Sequence, residues 1–88
     1  MITVEKINET TFKVTVKSHS VTTHQVTVTS SYYQKLTGGR VPPATLVEKS
    51  FEFLLGRESN TSILSYFELP VINQYFPDYE AKMTAMLA

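Results

Sequence analysis

Thr11 to Ser18 reads as a strand in which polar and apolar residues alternate strictly as far as Lys17, and this period of two constrains the fold more than any other feature of the chain. Phe12, Val14 and Val16 fall on one side; Lys13, Thr15 and Lys17 fall on the other. A strand that alternates so strictly buries one face and wets the other. Near residue 30 the pattern changes. Before it Thr and Val dominate; after it Leu, Phe and Tyr recur at helical spacing.

Two more segments share the early pattern. Residues 2–7 read as a first strand, ended by the turn residues Asn8-Glu9-Thr10. Residues 22–29 read as a third, after Ser18-His19-Ser20, with His24, Val26 and Val28 on its apolar side. Such short connections join antiparallel neighbours, so residues 1–29 are expected to form a three-stranded meander. Its apolar face needs a cover, and only the later helices can supply one.

The first helix is expected over about residues 31–37, capped by Ser30 or Ser31 and closed by Gly38-Gly39. The second has two possible starts: Pro43, suited to a first helical position, and Thr45, which has capping-box spacing to Glu48. From either start Leu46, Val47, Ser50, Phe51, Leu54 and Leu55 share one broad face, and Gly56 ends the run. A short helix is expected next, with Ile63, Leu64 and Phe67 inward and Leu69-Pro70 as its break. A piece over residues 71–76 and a last helix over residues 79–87, with Tyr79, Met83 and Leu87 on one stripe, complete the chain. The expected fold class is therefore α+β: a three-stranded antiparallel meander covered on one face by three to four helices, a single two-layer domain over residues 1–88 with the helical layer at 30–88.

Composition closes several functional classes. The chain has no cysteine, which excludes disulfides, thiolate zinc sites and thiol catalysis. No apolar run approaches the ~18 residues needed to span a bilayer. The opening residues MITVEKINETTF hold no hydrophobic signal core, so a soluble cytoplasmic protein without a membrane partner is expected. Net charge is zero but uneven: residues 1–40 carry five cations against two carboxylates, residues 41–88 three against six. That asymmetry biases the approach of a partner, or pairs one half with the other.

Residues 32–43, YYQKLTGGRVPP, invite a phosphate-loop reading. The glycines follow a helix rather than a strand, however, and Pro42-Pro43 remove two amide donors, so the stretch reads as a connector between helices. His19 and His24 have no third ligand in view, and no metal or other cofactor is implied; a surface His19 and a sheet-edge His24 are expected. No G-x-S-x-G elbow accompanies the serines, and Glu48 and Glu52 lie one turn apart on a solvated helix face, so no residue set points to catalysis. Asn73-Gln74 is able to read adenine, yet residues 58–80 hold four carboxylates and no Lys or Arg, which disfavours nucleic acid there. The wet sheet face is expected to lack the aromatics that stack bases.

The helical half carries a resemblance. Its tyrosine-rich segment ending LTGG, its SFEFLL helix and its YFPDY segment, residues 32–39, 50–55 and 75–79, resemble a family of short bacterial proteins of uncharacterised activity. Where that family often has Pro after Arg-Glu, this chain has Ser59. The resemblance implies a bacterial, cytoplasmic, one-domain protein and transfers no catalytic or binding residue.

The functional expectation is a small non-catalytic interaction or regulatory accessory protein, monomeric or weakly dimeric, that meets a protein partner. The contact patch is expected at Phe67, Tyr75, Phe76 and Tyr79, since aromatics favour interface cores. The alternative is a weak nucleic-acid or anion binder using Lys13, Lys17, Lys35 and Arg40.

Overall fold

The alternating segments pair as a sheet because each offers one apolar face to the same core. Strands β1 (Ile2–Lys6), β2 (Thr11–Lys17) and β3 (Val21–Thr27) are antiparallel neighbours in chain order. The computed structural model describes residues 1–87; Ala88, the end of the expected helical layer, lies outside them. The first turn is made by Asn8, whose side-chain oxygen accepts from the amides of Thr10 and Thr11, both at 3.0 Å. The register sets Val14 between Val4 and His24 on the inner face, and Lys13 between Glu5 and Gln25 on the outer.

Helix α1 (Ser30–Thr37) is capped one residue earlier than expected, by Thr29, whose hydroxyl accepts from the Tyr32 amide at 3.2 Å. Gly38 and Gly39 follow at φ 63° and 78°, left-handed geometry that a side chain would strain. Helix α2 (Pro43–Leu55) starts at Pro43; the Thr45 box is not used. Its inner face lies under the sheet, where Leu46, Val47 and Phe51 meet Phe12, Val14, Val16 and Val26, all essentially sealed from water. Each such side chain contributes about 1.5–3 kcal/mol of transfer free energy.

Residues 60–68 depart from expectation. Instead of a short helix they form one 3₁₀ turn (Asn60–Ser62) and a fourth strand, β4 (Tyr66–Glu68). It runs parallel to β3, pairing Gln25 with Tyr66, Val26 with Phe67 and Thr27 with Glu68. The sheet is therefore a mixed four-stranded one, in the order β1-β2-β3-β4, rather than a pure three-stranded meander. Helices α1 and α2 supply the crossover that parallel pairing requires. The i, i+1, i+4 spacing of Ile63, Leu64 and Phe67 imitates a helix, but the open edge of β3 draws the segment out.

That edge strand also moves His24, which is buried rather than at a sheet edge. Its Nδ1–H donates to the Leu64 carbonyl at 2.7 Å, because a carbonyl can only accept; its Nε2 lies 2.8 Å from the Thr22 hydroxyl. Helices α3 (Val71–Tyr75) and α4 (Tyr79–Leu87) finish the second layer, with Tyr79, Met83 and Leu87 buried on one stripe. No helix among the described residues is long and apolar enough to cross a membrane.

Candidate functional site

The four aromatics of the expected patch do not share one surface. Tyr79 is 0% exposed, its ring 5.3 Å from Phe53 and its hydroxyl 2.6 Å from the Ser50 oxygen. Phe67 is buried on the inner side of β4, 6.0 Å from Phe51. Both are buried, so neither stands on an outer surface as expected; Tyr79 is sealed in the core, while Phe67 is reached only from the pocket described next. The helical stripe of α4 points Tyr79 inward, and pairing with β3 points Phe67 inward. Tyr75 is 67% exposed at the end of α3, and Phe76 is half-buried, edge-on to Phe53 at 6.0 Å.

Tyr75 and Phe76 instead flank an apolar pocket of about 270 Å³. Its floor is Leu54, from the end of α2, with Ile63 and Phe67; its far wall is Val71 and Ile72 of α3. Leu64, half in water, and Glu58 complete the rim. Phe67, Tyr75 and Phe76 of the expected patch meet at this pocket, whereas Leu64 was expected inside a helix and Leu54, Glu58, Val71 and Ile72 were not expected at a contact site. The one available signal was Leu69 before Pro70, since proline drives the preceding residue into extended geometry.

The rim is held by a clamp. Arg57 reaches Asp78 at 2.6 Å, and its guanidinium lies 3.8 Å above the Phe53 ring and 5.8 Å from that of Phe76. This ties the end of α2 to the link between α3 and α4 and steadies Phe76. Glu58 and Glu68 have no ion-pair partner among the described residues.

A second polar cluster joins α1 to α4. Glu80 accepts from the Tyr32 hydroxyl at 2.9 Å and from Lys35 at 3.1 Å, while its amide donates to the Asn73 side chain. Burial pushes the Glu80 carboxyl up, but the hydrogen bonds from Lys35 and Tyr32 and the Lys35 charge outweigh it and hold the carboxyl below its ordinary value. Burial, then the bond to Glu80, raises the Tyr32 phenol; burial raises Tyr79 against the lowering effect of Ser50. None of these three residues lines the pocket.

The four cations of the alternative reading are divided between two sides of the molecule. Lys13 and Lys17 stand on the outer sheet face, while Lys35 is tied to Glu80 in the helical layer and Arg40 follows α1 in an exposed loop. The outer face does hold one aromatic, contrary to expectation: Tyr66, whose hydroxyl accepts from Gln25 at 2.7 Å. Lys13 and Lys17 share that face with Glu5 and Glu68, leaving no net charge to meet phosphates. Among the described residues no cluster of three or more His, Cys, Asp or Glu is placed to hold a metal. Comparison of the chain with protein-family models, with curated proteins and with solved structures finds no match.

Proposed function

We propose that the chain is a small non-catalytic interaction protein of the bacterial cytoplasm, an accessory that meets its protein partner at the pocket between β4 and α3. One observation carries this reading: an apolar pocket whose rim leaves Tyr75 and Leu64 in water, at 67% and 48% exposure. Apolar side chains gathered beside a concavity, rather than scattered, favour a protein partner. The cellular setting rests on the motif resemblance of the helical half.

The test is capture from nuclease-treated lysate by the tagged chain and its Tyr75→Ala variant. Tyr75 is exposed and its side chain makes no hydrogen bond among the described residues, so the variant is expected to stay within ~0.5 kcal/mol of the parent in stability. Loss of an interface tyrosine costs more than about 1 kcal/mol of binding, so recovery of a specific partner is expected to fall about fivefold or more. Equal recovery by both proteins would overturn the reading.

A further inference from the structure

The two edges of the sheet are unlike. Beyond its half-buried inner residues, β1 presents Thr3, Glu5 and Lys6, the charged and polar set that discourages further pairing. The β4 edge presents Leu64 and Tyr66, at 48% and 70% exposure, and no lysine. Its pairing to β3 runs through alternate residues: the Gln25 amide donates to the Ser65 carbonyl at 2.8 Å and the Leu69 amide to Thr27 at 2.9 Å. The amides and carbonyls of Tyr66 and Glu68 face the other way, and none has a hydrogen-bond partner among the described residues.

This vacant ladder lies directly beside the pocket. Phe67, on the helix side of β4, forms part of the pocket floor. A strand laid next to β4 runs about 4.8 Å away and sends alternate side chains to opposite faces. Its helix-side residues therefore stand over the pocket, and its outer residues stand beside Tyr66 and Glu68. Charge selects among occupants. Among the described residues, Glu58 on the rim and Glu68 on the edge are both without an ion-pair partner, and no Lys or Arg lines the pocket. Joining two β4 edges from two copies gathers four carboxylates and no cation, so a second copy is the wrong occupant.

We propose that the β4 edge and the pocket beneath it bind an extended segment of a partner protein by strand addition, one bulky apolar side chain entering the pocket and a neighbouring lysine or arginine facing Glu68. The proposal rests on the interaction reading above and names the chemistry of the partner. Backbone pairing to Tyr66 and Glu68 supplies affinity, while the pocket and the carboxylates supply selectivity.

The probe is the capped peptide acetyl-Thr-Leu-Lys-Phe-Lys-Leu-amide, titrated into the isotope-labelled full chain and followed by amide NMR and hydrogen exchange. Two N-methylated forms, each blocking one alternate set of peptide amides, accompany it, with a third form carrying glutamate for lysine. Binding is expected to protect the Tyr66 and Glu68 amides from exchange. One N-methylated form is expected to bind about tenfold more weakly and the other like the parent peptide, because only one set of amides faces β4. The glutamate form is expected to bind about fivefold more weakly, and Glu68→Lys to reverse that preference.

If the peptide shifts only Leu64, Tyr75 and Phe76, and both N-methylated forms bind like the parent, strand addition is overturned while the interaction reading stands. If the Tyr66 and Glu68 signals move with protein concentration alone, the occupant is a second copy and the proposal is overturned. If no peptide moves any signal at millimolar concentration, the proposal is overturned too, and capture by Tyr75→Ala judges the interaction reading separately.

Discussion

Ser50 shows how this core carries a polar side chain. It sits on the inward face of α2 and returns its proton to the Leu46 carbonyl at 2.7 Å, the usual refuge of a hydroxyl within a helix. With that proton spent, the Tyr79 hydroxyl donates to the Ser50 oxygen at 2.6 Å. The two partners are therefore unequal. Ser50→Ala strands a buried phenolic donor and is expected to cost about 1–3 kcal/mol, whereas Tyr79→Phe leaves serine its carbonyl and is expected to cost about 1 kcal/mol. The double variant removes both polar groups and is expected to be no less stable than Ser50→Ala alone, by urea denaturation. Strictly additive losses would mean that the pair is not coupled as described. The inward position of Ser50 was legible from helical spacing; its partner, from the last helix, was not.

At the scale of elements, β4 is the shortest strand of the sheet. Three residues cannot form a strand by propensity, and this one depends on pins to its neighbours. His24 holds the Leu64 carbonyl, and the Asn60 side chain donates to the Ser20 carbonyl and the Thr22 hydroxyl, both at 3.0 Å. The pins tie the 3₁₀ turn to the β2–β3 hairpin, so β4 arrives already aligned with β3. Asn60→Ala is expected to destabilise the fold by about 2 kcal/mol, because acceptors at the hairpin lose their donor. Exchange of the Phe67 and Leu69 amides is expected to accelerate more than that of β2 amides, as a weakly anchored element opens by itself. Uniform acceleration across the sheet would show instead that β4 opens only with the whole domain.

The whole molecule discharges part of its charge asymmetry internally. Lys35, from the basic half, meets Glu80, from the acidic half, and Tyr32 joins them. This links stability to pH at both ends of the scale. The folded Glu80 carboxyl lies below its ordinary value of 4.5, so its contribution is complete above that value and is lost as pH falls through the folded one. The Tyr32 and Tyr79 phenols are raised, so theirs is complete below ~10 and is lost as pH rises toward the folded values. Thermal melts across pH are expected to show a plateau between these limits. Glu80→Gln is expected to lower the plateau by about 1 kcal/mol and to make the acid limb shallower, since the variant no longer releases that proton. An acid limb of unchanged slope would remove Glu80 from this role.

Local pattern determined much of the protein. Alternation placed Phe12, Val14 and Val16 under a cover, glycines at positions 38, 39 and 56 bounded helices α1 and α2, and four-residue spacing put Tyr79, Met83 and Leu87 on one stripe. These features depend on neighbours in the chain, so the chain displays them. The strand at residues 66–68, the buried place of His24, the outward turn of Tyr66 and the division between core and rim aromatics were decided only by tertiary structure. The first three depend on a partner some 40 residues away, Gln25 for Tyr66 and Leu64 for His24, and the last on nearer but still non-local partners, Phe51 for Phe67 and Ser50 for Tyr79. Backbone pairing across such distances follows from which edge the folded sheet leaves open, and no window of local sequence contains that edge.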